Sequence, residues 1–244
     1  MGEFRREQGI PMSYAKTVVF CLLASLLLIS LTPLVSAGDK AKDEETLGNA
    51  AAVLQAMLGN KSVPASLLSK ADCIIVLPSV KKDAFIVGGS GGRGPMSCRG
   101  GKKFSGRWSA PAMYTIGGAS FGMQVGGSST DFVLLIMAEG AVDKVLQGKT
   151  KVGSDMTAAA GPSGATSAGS VGGADILTYG RAKGLFAGMS LSGASLEPDS
   201  DANERLYGKA TSARDIVLGS AVKTSAGGQH LVSLLNTKVP KHSD

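Results

Sequence analysis

Two stretches of the 244-residue chain set a serine between glycines, Gly88-Gly89-Ser90-Gly91-Gly92 and Gly118-Ala119-Ser120-Phe121-Gly122. In a hydrolase this spacing marks a nucleophile elbow, a serine on a sharp strand-to-helix turn with a histidine as base. Here β-prone sequence continues past both serines, and the histidines, His230 and His242, stand at the far end of the chain. Gly89-Ser90-Gly91-Gly92-Arg93-Gly94 spells a dinucleotide fingerprint. That chemistry needs a helix to open at once, so that its amides meet the pyrophosphate. Pro95 and a strand-like 96–99 follow instead. Gly148-Lys149-Thr150 has the ending of a phosphate loop, but Asp143 occupies the place of its first glycine. No catalytic residue, cofactor or metal is assigned, and a non-enzymatic chain is expected.

The cations say more. Lys81 and Lys82 fall in an expected turn between two strands, and Arg93, Arg99, Lys102, Lys103 and Arg107 lie within a Gly- and Ser-rich stretch at 93–107. Seven cations with only Asp83 nearby make a local positive patch suited to phosphate groups. Trp108, the only tryptophan, follows at once. It serves either as an anchor at a membrane interface or as a core residue beneath a solvated loop. Tyr179, Arg181 and Lys183 share one face if 174–183 is a strand, since alternate residues point the same way. That face either holds a polar head group or is a solvent-facing edge. Cys73 and Cys98 can close a loop of about 25 residues as a disulfide, worth roughly 3 kcal/mol, or remain two buried thiols. With the histidines so distant, they are no metal site.

The elements that must position these residues begin with a leader. Residues 13–36 carry a single charge, Lys16, around an apolar stretch from Thr17 to Leu31, and small residues follow at Val35-Ser36-Ala37. Signal peptidase reads this pattern, so residues 1–37 are expected to be a signal peptide, cleaved before Gly38. The competing reading is an uncleaved N-terminal anchor, although the apolar stretch is shorter than the ~20 residues that span a bilayer. The remaining chain holds 22 basic and 17 acidic residues, a net charge of +5. Such a surplus suits an anionic surface and equally serves solubility. An exported chain, periplasmic or secreted, meets lipid or an acidic polymer rather than nucleic acid.

Glycine is concentrated, with 25 of 34 between Gly88 and Gly193, among apolar segments and without a triplet period. That excludes collagen and a flexible linker, and it implies strands that bend, bulge or approach one another closely. Ahead of this region Asp43 is expected to cap a helix carrying Leu47, Ala51, Leu54 and Leu58, stopped by Gly59. Pro64 opens a short helix at 64–71. Strands are expected at 73–77, stopped by Pro78, and at 85–89, 96–99, 112–118, 120–126 and 132–138. The unbroken apolar run from Phe132 to Met137 implies that both faces of its strand are covered. A helix at 139–147 and a strand at 150–160 follow, then strands at 174–182 and 185–196 joined at Lys183-Gly184. Asp201 with Glu204 opens a helix that Gly208 ends, and short helices at 212–218 and 229–236 flank a loose Ala226-Gly227-Gly228. The fold class is α+β: one domain over 38–244, a bent, glycine-rich antiparallel sheet with barrel-like closure open to it, and short helices at both ends.

The chain resembles the SYLF lipid-binding domain family over about 43–208, with a helical extension at 209–244. The likeness rests on Pro64, Leu67, Leu68, Lys70 and Ala71, on Gly92-Arg93-Gly94, and on Gly106-Arg107-Trp108-Ser109-Ala110-Pro111. Gly122-Met123-Gln124-Val125-Gly126 and Ser129-Thr130-Asp131 match as well. The longest block is Asp175-Ile176-Leu177-Thr178-Tyr179 followed by Lys183-Gly184-Leu185-Phe186-Ala187-Gly188, and Asn203 and Tyr207-Gly208 close it. Members of that family are phospholipid or phosphoinositide binders, and some eukaryotic ones bind actin. The resemblance therefore implies phospholipid binding here, whereas actin is not expected as partner of an exported chain. The alternative is an envelope structural protein whose basic patch meets an acidic polymer or a protein partner.

Overall fold

A computed structural model describes residues 33–85, 89–118, 129–162, 173–182, 184–208, 211–219 and 222–243. Helix α1 (Pro33–Gly59) and helix α2 (Ala65–Lys70) lead into a long hairpin, β1 (Cys73–Phe85) and β2 (Gly89–Cys98). Strands β3 (Ala112–Gly118) and β4 (Ser129–Ile136), helix α3 (Glu139–Gln147) and short strands β5 (Thr150–Lys151) and β6 (Ala158–Ala160) come next. Strands β7 (Ile176–Ala182), β8 (Leu185–Gly188) and β9 (Ser195–Pro198) complete the sheet, and helices α4 (Ser200–Tyr207), α5 (Ala213–Val217) and α6 (Ala226–Lys238) end the chain. The strands form one curled half-barrel in the order β5-β9-β3-β2-β1-β4-β7-β6, with β8 also paired to β7. The expected α+β class and the helices at both ends are present. The pairing is antiparallel except between β6 and β7, which run parallel. Met1–Asp39 and Lys40–Asp244 are separate units. The expected leader lies mostly outside the described residues, as do Ser120 and the expected strand at 120–126. Among the described residues no helix is long and apolar enough to cross a membrane.

Both faces of the sheet are covered, and the two-residue side-chain period decides which residue goes where. Ile75, Leu77, Tyr114, Phe132 and Leu134 pack with Val142 and Val145 of α3 and with Ile216 of α5. On the other face Ile74, Val76, Val133, Leu135 and Tyr179 pack with Leu54 and Met57 of α1, with Leu68 of α2, and with Leu231 and Leu235 of α6. Strand β4 is thus buried on both sides, as its unbroken apolar run implies. Each such large side chain contributes about 1.5–3 kcal/mol when fully buried.

The expected strand at 73–77 does not stop at Pro78. Strand β1 runs on, and its pairing with β4 slips between Leu77 and Val80. Proline has no N–H for the ladder, so the strand bulges around it, and the Ser79 amide donates instead to Asp131 Oδ1 at 2.9 Å. The expected strand at 96–99 belongs to β2, and of the one at 85–89 only Phe85, the last residue of β1, and Gly89, the first of β2, lie within the described residues. Gly94 lies so close to Val76 that a β-carbon there would strike the Val76 carbonyl oxygen. The glycine-rich run is therefore strand, not loop. The expected strand at 150–160 breaks into β5 and β6 around Gly153, whose φ is +95°. The stretch 185–196 divides likewise into β8 and the start of β9.

Two capping expectations and one expected loose segment fail for definite reasons. Asp43 is not a cap but lies inside α1, fully buried. Asp199, not Asp201, caps α4, accepting from the Ala202 amide at 3.0 Å. Ala226-Gly227-Gly228 is the first turn of α6, capped by Ser225. There the Glu44 carboxylate accepts from the Ser225 hydroxyl at 3.1 Å. A β-carbon at Gly227 would come within 2.6 Å of Glu44 Oε2, so the glycine lets a carboxylate reach the helix N-terminus.

Candidate functional site: a basic cleft beside Trp108

Strand β2 ends at Cys98, directly opposite Cys73, and the two are joined in a disulfide with Cα atoms 4.0 Å apart. The next residue, Arg99, is buried, 3% exposed. Its guanidinium donates to the Ala71 and Leu68 carbonyls at 3.1 and 3.3 Å and to the Pro240 carbonyl at 2.6 Å. It also lies over the Trp108 ring, 4.4 Å from the centroid, within cation–π range. Arg99 thereby satisfies carbonyls left open at the end of α2 and clamps the C-terminal segment against them. Burial pulls its pKa down from the usual guanidinium value, and the neighbouring Asp72 pushes it up.

Between Arg99 and Trp108 the chain folds into a compact loop. The Gly100 amide donates to the Arg107 carbonyl at 2.8 Å, and the Gly106 amide donates to the Gly100 carbonyl at 2.7 Å. Buried Phe104 pins the loop to the core while Lys102, Lys103 and Arg107 remain exposed. Trp108 is 5% exposed, which answers the choice left open for it: it is core rather than anchor. Its backbone amide donates to Asn236 Oδ1 on α6 at 3.1 Å.

Between this loop and the end of α6 lies a cleft of 400 Å³, lined among others by Arg99, Arg107, Trp108, Asn236, Lys241 and His242. None of its lining residues is acidic. Two buried ring nitrogens in the lining, Trp108 Nε1 and His242 Nδ1, have no hydrogen-bond partner. The segment bearing Lys241 and His242 is held in place by Ser243, whose amide donates to the Ser69 carbonyl at 3.2 Å and whose hydroxyl meets that of Ser69 at 2.8 Å. Behind the cleft sits Asp72, its carboxyl lifted from 3.8 to about 6. Burial is the chief cause; Glu139 adds to the rise, and His242 and Arg99 oppose it. Cationic donors around unpartnered N–H capacity, without a carboxylate at the wall, are the chemistry that an anion such as phosphate requires.

The expected patch does not hold together as one surface. Lys81 pairs with Gly91 on β2, eight residues from Arg99, or roughly 26 Å along a strand. It is exposed at the opposite end of the sheet; Lys82 is its strand neighbour, with a side chain outside the described residues. Arg93 belongs to neither end. It forms ion pairs with the fully buried Asp43 and, at 3.9 Å, with Asp199. Arg205 meets the same Asp43 carboxylate with two bonds, 2.7 and 3.3 Å. Tyr179 is fully buried, its hydroxyl donating to the Pro162 carbonyl at 3.3 Å, and burial pushes its phenol pKa up. It therefore offers no ring to a head group. Arg181 is paired with Asp131 at 3.3 Å, and Lys183 lies outside the described residues. Lys241, His242 and Asn236 were not legible as site residues, because nothing local says which loop a C-terminal Lys-His will meet.

The accidental catalytic patterns have the wrong surroundings where they lie within the described residues, which exclude Ser120. Ser90 is buried within β2, and the whole of Gly89–Gly94 is strand. Lys149 follows a helix and precedes a strand, the reverse of a phosphate loop. Among the described residues no group of three or more His, Cys, Asp or Glu could hold a metal ion.

Comparison with known proteins places the chain in a family. The Ysc84 family model, described as "Las17-binding protein actin regulator", matches residues 117–238. The chain belongs to the Ysc84 (SYLF) family. The matched span includes α6, which carries Asn236 of the cleft. The SH3 domain-containing protein PJ696.02 of Schizosaccharomyces pombe is 34% identical over 191 residues, 76% of this chain and 43% of that protein. The SH3 domain-containing YSC84-like protein 1 of Rattus norvegicus is 33% identical over 187 residues, 75% of this chain and 54% of that protein. Protein YSC84 of Saccharomyces cerevisiae is 30% identical over 182 residues, 72% of this chain and 38% of that protein. The chain thus spans about half the length, or less, of the curated relatives it matches.

Proposed function

We propose that this Ysc84-family chain is a non-enzymatic phospholipid-binding module, exported to the cell envelope or secreted, whose basic cleft receives the phosphate of an anionic head group. One observation carries the reading: Arg107, Lys241 and His242 converge on an acid-free cleft whose buried Trp108 Nε1 has no partner. Lys102 and Lys103 extend the positive surface from the same loop. Near an anionic bilayer each such charge contributes about 1 kcal/mol, so a few acting together give reversible, salt-sensitive association. The disulfide beside the cleft and the leader-like residues 1–37 agree with an oxidising compartment.

The test is flotation of the full chain with vesicles of phosphatidylglycerol and phosphatidylcholine against phosphatidylcholine alone. Association is expected only with the anionic vesicles at low salt, weakening at 0.5 M. Indifference to both vesicle types would sink the reading. A second reading, a protein-binding module, is favoured by the family description as a Las17-binding actin regulator. It predicts capture of a partner protein by the full chain without vesicle association.

A further inference from the structure

A second cavity, on the other side of the α6 end, has the opposite character. It measures 580 Å³, and Leu58, Val63, Leu68 and Leu234 supply much of its wall. Lys61 and Lys238 are the charged residues in its lining, and no carboxylate is among them. Both lysines are exposed, while Val63 and Leu68 are buried, so the charge stands at the rim and the apolar surface inside. Lys61 is held at the rim by a left-handed backbone, φ +48°, in the turn that ends α1. In the same turn the Asn60 side chain donates to the Gly184 carbonyl at 3.2 Å, tying the turn to the β7–β8 hairpin. That contact brings Leu185, the most exposed large apolar residue described, to the neighbourhood of the rim.

We infer that this cavity binds the single hydrocarbon chain of a long-chain carboxylate, with the head group between Lys61 and Lys238. A concave, mostly apolar site with a few polar groups at its mouth is the usual form of a small-molecule pocket, and this one lies within their usual volume range. Charge complementarity chooses an anionic amphiphile over a neutral one. A two-chain phospholipid would have to leave its second chain outside. The site is separate from the basic cleft and does not depend on phosphate recognition there.

Titrating the full chain with cis-parinarate, a fluorescent fatty acid, below its micelle concentration tests the assignment. Emission is expected to rise and saturate at one probe per chain, and oleate should displace the probe at least tenfold better than methyl oleate. Ala65→Phe, which narrows the mouth from an exposed position, is expected to abolish saturable binding. The double variant Lys61→Gln/Lys238→Gln keeps the fold and should bind about tenfold more weakly, with the preference for acid over ester lost. Arg107→Gln in the basic cleft should bind the probe like the parent. Probe binding without vesicle flotation would leave this site standing and remove the phosphate reading, and the converse result would do the reverse. An unsaturable rise, equal displacement by the ester, or displacement by phosphatidylglycerol vesicles as effective as oleate would overturn the inference.

Discussion

Two arginines six residues apart, one within strand β2 and one just past its end, stand in opposite circumstances. Arg93 faces α1 and is neutralised by Asp43, a carboxylate wholly withdrawn from water and shared with Arg205. Arg99, past the end of the same strand, meets backbone carbonyls and a tryptophan ring. Its field is left to the cleft that Arg107, Lys241 and His242 complete. The first cluster is neutralised by a buried carboxylate and holds helices to the sheet, whereas the second faces a cleft with no acidic residue in its lining. A run of cations in a sequence is therefore not yet a site. The carboxylates that reach it from distant elements decide: Asp43 pairs directly with Arg93, whereas none lines the cleft beside Arg99.

The comparison breaks most visibly at Asp43. Replacing it with alanine leaves Arg93 and Arg205 facing each other across a partly buried space. Removing one partner of such a buried set costs about 3–5 kcal/mol. Thermal unfolding of Asp43→Ala should come roughly 6–20 °C early, at about 2–4 °C per kcal/mol for a domain of this size. A melting point within 2 °C of the parent would show that the Arg93 cluster is no more structural than the cleft.

How far the chain can be read from its residues follows the same division. Local signals carried well: Pro64 and Gly59 mark the true ends of the first two helices, Gly208 adopts the left-handed cap at φ +71°, and the run from Phe132 foretells a strand covered on both faces. The glycines were legible as bends but not as length. A strand such as β2, with Gly91, Gly92 and Gly94 in its ladder, has too few side chains to show its period. Asp43 was misread because a capping residue and a buried ion-pair partner look alike until the arginines facing it are known. The cleft was half legible. Arg99, Lys102, Lys103, Arg107 and Trp108 are close in sequence, whereas Asn236, Lys241 and His242 reach it through the packing of α6, which no local pattern encodes.

Asp72 sharpens the contrast through pH. Its folded pKa, about 6, lies above the 3.8 of an exposed carboxyl, chiefly because ionising it means charging a buried group. The folded state thus holds the proton more tightly than the unfolded chain. The resulting contribution to stability is fully present below about pH 4 and is lost as pH rises through 6, amounting to about 3 kcal/mol at most. Asp72→Asn should accordingly differ little from the parent at pH 4 and gain several degrees in relative melting point by pH 8. A difference that does not vary with pH would mean that the carboxyl titrates normally. Ionisation also places a negative charge behind Arg99 and His242, so vesicle association of the parent should strengthen on going from pH 7 to pH 5.

The smallest effect is the most discriminating. Arg107 and Lys241 are exposed and form no ion pair among the described residues, in contrast to Arg93. Exchanging either for glutamine should leave the melting point within about 1 °C, since exposed substitutions away from buried networks change stability by roughly 0.5 kcal/mol or less. Each should nonetheless weaken association with phosphatidylglycerol vesicles about fivefold, which is what ~1 kcal/mol per surface charge amounts to, and the two losses should add because both charges face one phosphate-rich plane. Lys81→Gln, at the far end of the sheet, serves as the control for a diffuse charge effect. If it weakens vesicle association as much as Arg107→Gln does, membrane attraction comes from net charge rather than from the cleft, and the difference between the two ends of strand β2 loses its functional meaning.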